Sequence, residues 1–333
     1  MSFHMNFHHV YIKSFSSIVG KKEKEGPYGD YFDESVKDDY VGEKTFEEGE
    51  IHLAKRAIEL ALLKGKTEIG EIPLVFGGDL SNQIAITSRV MKELSSAAIG
   101  VYSACATLPL ALGLAATYVD NKYILHGLVF TSSSKSVAER QFRYPNDYGI
   151  QKKDSSTITV TGSASFIVSR EPSPIQITGL TYGKVYDPNL ANLNDMGSPM
   201  AYAAYHTIVD HLNSQNETVE DYDAIITGDL SSVGTRVLKA CFKEAGIDLK
   251  NHLDAGDSIF HREKEKVYAG GSGPGCIAVF LAGYILKEML KGTLKRVLIV
   301  ATGALFSPTL SQQKHSIPVI AHAITLERKE AQL

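Results

Sequence analysis

Apolar and polar residues alternate in short blocks along the chain, and these blocks predict strands and helices in turn. The runs "PLVF" (73–76) and "AIIT" (224–227) are short and apolar, which is typical of buried strands. Residues 47–65 and 201–213 carry apolar side chains at helical spacing. Since such strands and helices alternate, the pattern predicts an α/β fold with a parallel or mixed sheet.

The same order of elements occurs in both halves of the chain. The string GDLS is found twice, with Asp79 in the first copy and Asp229 in the second. Each copy follows an apolar run and precedes a turn of small residues that holds a cysteine, Cys105 or Cys276. We therefore predict two similar halves, residues 1–170 and 171–333, which form one compact duplicated unit. A chance similarity of two α/β segments is the alternative.

Composition and charge exclude several classes of protein. Of the 333 residues, 22% are charged, and the net charge is −4, so the chain lacks the basic character of a nucleic-acid-binding protein. Three cysteines are too few and too scattered for a disulfide framework. The longest apolar run, residues 108–119, is too short to span a bilayer. We expect a soluble protein of the cytoplasm.

Several motifs carry a resemblance that covers nearly the whole chain. The two halves, with a cysteine at a helix N-terminus, resemble the thiolase superfamily, which includes thiolases and ketoacyl synthases. The finer motifs are similar to the stage V sporulation protein AD family of spore-forming bacteria. These motifs are "KEKEGP" (22–27), "GDLSNQ" (78–83), "AERQFRYP" (138–145), "DMGSPMA" (195–201), "ATGALFSPT" (301–309) and "QQKHSIPVIAH" (312–322).

The resemblance implies both a fold and a function. The fold is thiolase-like, with two βαβαβ-type halves packed as α/β/α/β/α layers. The function is non-catalytic binding of dipicolinic acid (pyridine-2,6-dicarboxylic acid) during its uptake into the developing spore. The expected partners are other stage V sporulation A membrane proteins, which would hold the chain at the spore inner membrane, and a second copy in a homodimer. We expect no cofactor, with calcium accompanying the ligand as an open alternative.

A catalytic alternative rests on Cys105. A helical pattern begins just after this cysteine, so the helix dipole favours the thiolate, and backbone N–H groups there suit an oxyanion. An acyltransferase or condensing enzyme of the thiolase or ketoacyl-synthase III type would use Cys105 as its nucleophile. Equally, a free cysteine often packs as a small apolar residue. A purely structural scaffold, with a relic pocket, is the third possibility.

Condensation needs a base and hydrogen-bond donors besides the nucleophile. Thiolases carry a Gly-His-Pro motif in the second half, and the corresponding stretch here, "YAGGSGPGCIAV" (268–279), has no histidine. His322 precedes an apolar strand pattern and is either a base that faces Cys105 or a hydrogen-bonded core residue. One possible base without the other groups favours a binding protein.

A planar dicarboxylate needs donors at both ends and an apolar slot between them. Arginine side chains bind carboxylates through two hydrogen bonds, and polar groups at strand ends often contact ligands. We predict a pocket beside Cys105, at the junction of the halves. The candidate donors are Ser132, Ser133, Arg140, Arg143 and the backbone amides around Gly271 and Gly273. An ion pair with Glu139 and strand-end hydrogen bonds are the structural alternatives for the arginines and the serines.

Asp79 is harder to reconcile with an anionic ligand. A carboxylate beside a dicarboxylate repels it unless a cation bridges the two groups, and calcium prefers such oxygen ligands. The sequence has no EF-hand-like spacing, and we predict no metal site. Asp79 is therefore either a ligand contact or a residue that orients its loop by accepting hydrogen bonds, and for Asp229 we favour the structural role.

Overall fold

The strands fall in the same order in the two halves of the chain. The computed structural model describes residues 2–142, 152–192 and 194–329, without the side chains at positions 141 and 142. The strands are β1 (Phe3–Asn6), β2 (Tyr11–Val19), β3 (Glu34–Ser35), β4 (Leu74–Gly78), β5 (Ala97–Gly100), β6 (His126–Ser133), β7 (Thr157–Thr159), β8 (Gly162–Ser169), β9 (Ile175–Tyr182), β10 (Ala224–Thr227), β11 (His252–Asp254), β12 (Gly270–Ser272), β13 (Arg296–Ala304) and β14 (Val319–Arg328).

Helices connect these strands and pack against them. They are α1 (Lys21–Lys24), α2 (Phe46–Gly65), α3 (Ala85–Met91), α4 (Thr107–Asp120), α5 (Lys135–Phe142), α6 (Gly197–Gln215), α7 (Ser231–Glu244), α8 (Ala255–Ser258), α9 (Pro274–Phe280), α10 (Leu286–Lys291) and α11 (Pro308–Gln312). A π-helical turn, Leu281–Ile285, joins α9 to α10. Among the described residues, no helix is long and apolar enough to cross a membrane.

The strand order confirms the duplicated α/β fold. The first half forms the order β5-β4-β6-β8-β2, and the second half forms β11-β10-β13-β14-β9. β8 in the first half and β14 in the second half are each antiparallel to both of their neighbours. The remaining pairs, β5 with β4, β4 with β6, β11 with β10 and β10 with β13, are parallel. Asp79 follows β4 and Asp229 follows β10, which are equivalent strands.

The halves are joined through shared sheets. β2 meets β9 at Tyr11 and Gln176, and β1 from the first half pairs with β9 of the second half. β7 and β12 form a small parallel sheet that also joins the halves. The predicted division between residues 170 and 171 remains a prediction.

Helix α4 lies between the strands of the two halves. It contacts β4 and β6 of the first half and β13 and β14 of the second half. Its sequence is apolar on nearly every face, which is typical of a helix that is buried on all sides. Helices α2 and α6 pack on β2 and β8 and on β13 and β14, respectively. This layering places the start of α4 at the junction of the halves.

One predicted strand differs from the structure. The apolar pattern over 156–170 predicts a single strand, but the chain forms β7 and then β8, with a break between them. The Val160 N–H donates to the Ser272 carbonyl, so β7 continues into the small sheet with β12 rather than into the large one. The break brings residues of β7 to the cysteine turn described next.

Candidate functional site

A tight turn presents Cys105 just before α4. Ala104 has a φ of 48°, the left-handed conformation that a non-glycine residue rarely adopts. The Thr107 hydroxyl closes the turn, because it donates to the Ala104 carbonyl at 2.6 Å and accepts from the Ser103 N–H at 3.0 Å. β13 approaches the turn closely at Gly303, where a Cβ would lie 2.3 Å from the Ser103 carbonyl oxygen.

A cavity of about 80 Å³ lies beside this turn. Residues of both halves line it: Leu80, Asn82, Tyr102, Ala104, Cys105, Thr157, Thr159, Met196, Met200, Asp229, Ser272, Ala304, Phe306 and Pro308. Among these described lining residues there is no lysine, arginine or histidine, and Asp229 is the one acidic side chain. The Thr159 hydroxyl is buried and has no hydrogen-bond partner in the described part of the chain.

Cys105 and Asp229 form the polar centre of the cavity. Asp229 is 1% exposed, and its Oδ1 accepts a hydrogen bond of 2.6 Å from the Thr302 hydroxyl. The Cys105 thiol lies against the same carboxyl group and interacts with it. Burial, above all, raises the pKa of Asp229 to about 7, although the interactions with Thr302 and Cys105 act in the opposite direction.

The thiol is therefore not activated. Burial and then the charge of Asp229 raise the pKa of Cys105 well above its ordinary value, and a hydrogen bond from the Gly273 backbone offsets only part of this effect. The helix N-terminus predicts a thiolate, but its contribution of about 0.3–1 kcal/mol is outweighed by desolvation and a neighbouring carboxyl group.

The two equivalent aspartates have different roles. Asp79 is fully buried, and it accepts hydrogen bonds from the backbone N–H and hydroxyl groups of both Ser81 and Thr87. Each carboxylate oxygen thus has two donors, and Asp79 is absent from the described lining of the cavity. Asp79 holds its own turn, which accounts for its burial without a ligand.

In the second half another residue holds the equivalent turn. Asp254, at the end of β11, accepts hydrogen bonds from the N–H groups of Leu230 and Ser231 at 3.0 and 2.8 Å. Because Asp254 satisfies this turn, Asp229 is free to face Cys105. The structure thus gives Asp79 the loop-orienting role that the sequence left open, and it places Asp229 at the cavity rather than in the structural role that we favoured for it.

The structure does not bring the predicted serines to the cavity. Ser132 donates to Glu50 of α2 at 2.8 Å. Ser133 donates to the Val160 carbonyl at 2.7 Å and accepts from the Gly275 N–H at 3.2 Å. Both side chains are fully buried at the end of β6, where successive residues point to opposite faces of the sheet. They support the layers on either side of that strand.

The predicted arginines and glycines do not form one cluster at the cavity. Arg140 forms an ion pair with Glu47 and lies over the ring of Phe46, on the surface beside α2. Arg143 lies outside the described residues. The Gly271 carbonyl accepts a 2.7 Å hydrogen bond from Ser231, whereas Gly273 reaches Cys105 through its backbone.

His322 supports the cysteine turn from behind. Its Nε2 lies 3.0 Å from the Ser103 hydroxyl, and the ring is 4% exposed. Burial lowers its pKa to about 4, so the imidazole is neutral. His322 does not line the cavity, and this placement fits the hydrogen-bonded core residue rather than a base that faces Cys105.

Reasoning from the sequence missed most of the cavity lining. Thr157, Thr159 and Ser272 reach the cavity through the small sheet of β7 and β12, which no local pattern indicates. A usable signal was present for Asp229, because the repeated GDLS string already placed it at a strand end. In the described residues, no group of three acidic, histidine or cysteine side chains could hold a metal ion.

Comparison with known proteins identifies the family. A family model for stage V sporulation protein AD (SpoVAD) matches residues 3–327. The chain belongs to this family. Stage V sporulation protein AD of Bacillus subtilis (strain 168) is 41% identical over 321 residues, which are 96% of this chain and 95% of the relative. The SpoVAD resemblance found in the sequence motifs is thereby confirmed.

Solved structures confirm the thiolase-like fold. A crystal structure of an OleA variant from Xanthomonas campestris has a TM-score of 0.62 and 16% identity, and the match covers 98% of this chain and 100% of the OleA chain. Cerulenin-bound OleA from the same organism has a TM-score of 0.62 and 18% identity, with 96% and 98% coverage. At this level of identity the likeness shows the fold alone.

Proposed function

We propose that this SpoVAD-family protein binds dipicolinate and does not condense acyl groups. The observation that carries the proposal is the partner of Cys105, which is the carboxyl group of Asp229 rather than a basic side chain. The membership of the family supports the identity of the ligand, because dipicolinate binding is the property that the SpoVAD resemblance implies.

The arrangement argues against acyl transfer. A cysteine nucleophile needs a lowered pKa or an adjacent base, and the pKa of Cys105 is raised. The neighbouring carboxyl group holds the thiol neutral, and His322 bonds to Ser103 instead. The cysteine turn of a thiolase-like fold is thus retained without the groups that would make the sulfur attack an acyl carbonyl.

The cavity lining suits a small planar ligand. The Thr159 hydroxyl, which has no partner among the described residues, offers a neutral donor, and Ala304 and Phe306 offer apolar surface. A volume of about 80 Å³ is small beside the roughly 300–1000 Å³ of drug-sized pockets. We infer that the flexible side chains of Met196 and Met200 change rotamer to admit the ring.

The proposal extends to partners and place of action. In uptake into the developing spore, dipicolinate would pass between this protein and other stage V sporulation A membrane proteins. Those partners would hold the chain at the spore inner membrane. Calcium would accompany dipicolinate as its counter-ion and would not be a cofactor of the protein.

Calorimetric titration with dipicolinate tests the proposal. The parent protein should bind, and Cys105→Leu should weaken binding at least tenfold because the larger side chain fills the cavity. Cys241→Leu is the matched control, since Cys241 lies on α7 away from the cavity and should leave affinity unchanged.

An acyl-transfer assay on the same samples tests the alternative. After incubation with acetyl-CoA or longer acyl-CoA, mass spectrometry should find no lasting acyl group on Cys105. Stoichiometric acylation followed by turnover would favour a condensing enzyme, and an absence of dipicolinate binding would contradict the proposed ligand.

A further inference from the structure

An acidic side chain in a site for a dicarboxylate needs a physical explanation. Asp229 is the one acidic residue among the described side chains that line the cavity, and no lysine or arginine is among them. Two carboxylates within about 4 Å repel each other strongly in a site that excludes water. A carboxylic acid and a carboxylate, in contrast, share a strong hydrogen bond.

We propose that protonated Asp229 donates a hydrogen bond to one carboxylate of dipicolinate, so that binding takes up one proton from solution. This inference rests on the proposed function and names the residue that recognises the ligand. The proton comes from the buffer and resides on Asp229 in the complex. No other bond forms or breaks.

The hydrogen bonds around Asp229 leave one position for that proton. Oδ1 already accepts the hydrogen of the Thr302 hydroxyl at 2.6 Å. An acid proton therefore resides on Oδ2, which has no hydrogen-bond partner among the described residues. The carboxyl group is fixed in this orientation because Thr302 belongs to β13 and is fully buried.

Among the described residues, the groups that face Asp229 include no cation to stabilise its ionised form. They are the Cys105 thiol from the turn before α4, the Thr302 hydroxyl from β13 and Asp254 from the end of β11, with Cys276 of α9 near Cys105. None of these groups is a cation, and the charge of Asp254 disfavours a second negative charge. Burial acts in the same direction and raises the pKa of Asp229 to about 7.

A bridging calcium ion is the competing explanation. Calcium prefers six to eight oxygen ligands, usually with several carboxylates. The described chain offers a single carboxylate in the cavity and no cluster of three metal-binding side chains. A single shared proton removes the repulsion between Asp229 and one carboxylate of dipicolinate, and it needs no further coordinating groups.

The proposal has a distinctive pH dependence. Below about pH 7 Asp229 is already protonated, and affinity should change little with pH. Above that pH the free protein must gain a proton on binding, so affinity should fall about tenfold for each pH unit. A site built from arginine would keep the same affinity across this range, because guanidinium stays charged.

Calorimetry on the intact protein measures the proton directly. Titration of dipicolinate at about pH 8 in phosphate and in Tris, whose protonation enthalpies differ, gives the number of protons taken up. We expect close to one proton at about pH 8 and close to none at about pH 6. This measurement uses the parent protein and does not depend on the folding of a variant.

Two substitutions assign the proton to its residue. Asp229→Asn keeps a donor and an acceptor but cannot ionise, so binding should lose its proton uptake and become independent of pH. Glu50→Gln is the matched control, because Glu50 is another buried acid with a raised pKa, outside the cavity. The control should retain the proton uptake of the parent protein.

The outcomes separate this inference from the proposed function. Binding without proton uptake at about pH 8, uptake that persists in Asp229→Asn, or affinity that requires calcium would each overturn the protonated Asp229. Absence of dipicolinate binding at every pH would overturn the proposed function together with this inference.

Discussion

Cys105 and Asp229 show how one neighbouring side chain changes the chemistry of a cysteine at the start of a helix. Residues 101–113 have the small side chains and following helix that favour a reactive thiolate. The structure adds a buried carboxyl group from a residue 124 positions later along the chain. Since this group raises the pKa of the thiol, the turn does not present an activated nucleophile.

Alkylation of Cys105 tests this pairing. The rate of reaction with iodoacetamide should rise with a midpoint well above the usual thiol pKa of about 8.5. Asp229→Asn removes the neighbouring negative charge and should lower that midpoint, while the rate at Cys241 should not change. Site-resolved mass spectrometry over a pH series gives both rates. A midpoint below neutral pH in the parent protein would indicate an activated nucleophile.

Glu50 provides a second prediction at this scale. Burial, reinforced by the charge of Asp79, raises the pKa of Glu50 from 4.5 to about 8. The folded state therefore keeps the proton where the unfolded chain has lost it, and stability falls as the pH rises from about 4.5 to 8. Glu50→Gln avoids this loss and should raise the free energy of unfolding by at least ~1 kcal/mol near neutral pH.

Urea unfolding at several pH values checks the Glu50 prediction. The gain should shrink as the pH falls towards 4.5 and vanish below it, where Glu50 is protonated in both the folded and the unfolded state of the parent protein. The exposed Glu220→Gln is the control and should show no such dependence. A constant or negative effect across the series would refute the role of burial.

At the scale of elements, the sequence predicts most helices and strands but not the strand pairings that position the site. Most helices and strands follow from apolar periodicity, and the helix predicted over 47–65 lies at Phe46–Gly65. The pattern over 156–170 could not reveal the break before β8, because β7 pairs with a strand more than 100 residues away. The faces of Ser132 and Ser133 likewise depend on which layers cover β6.

The close approach of β13 to the cysteine turn gives a prediction for an element. In Gly303→Ala the new Cβ would meet the Ser103 carbonyl at 2.3 Å, so the turn or the strand must move. We expect a loss of about 1–3 kcal/mol in the free energy of unfolding and weaker dipicolinate binding.

A second glycine supplies the control for this variant. In Gly70→Ala the new Cβ would meet nothing within 4 Å, so stability and binding should stay near those of the parent protein. Denaturant unfolding and calorimetry compare the two variants. If Gly303→Ala behaves like Gly70→Ala, the turn is not held by that close approach.

At the scale of the whole molecule, the two halves share their strand order but differ in the role of the equivalent aspartates, Asp79 and Asp229. The GDLS strings predicted equivalent strand ends, and the strand order confirms this. No pattern within either half indicated that Asp254 would hold the second turn and leave Asp229 for the cavity. That difference arises from β11, a strand brought beside β10 only by folding.

The open edge of β5 predicts a symmetric dimer. In the described structure β5 pairs with β4 alone, and its exposed Ala97 and Ala98 carry no charge that would prevent pairing with another strand. A second copy would continue the sheet across a twofold axis. Light scattering after gel filtration should give twice the chain mass of 36.3 kDa, and Ala98→Arg should give a single chain.

An arginine placed elsewhere controls for charge in the dimer experiment. Leu63 is 73% exposed on α2, away from β5, and Leu63→Arg should remain dimeric. A parent protein with the mass of one chain, or a dimer unaffected by Ala98→Arg, would place the contact elsewhere.

A crystal structure of the protein with dipicolinate tests the central claim most directly. The account predicts the planar ring in the cavity beside Cys105, with one carboxylate within hydrogen-bond distance of Asp229 and no covalent bond to the sulfur. Dipicolinate bound away from this cavity, with the cavity unchanged, would contradict the account.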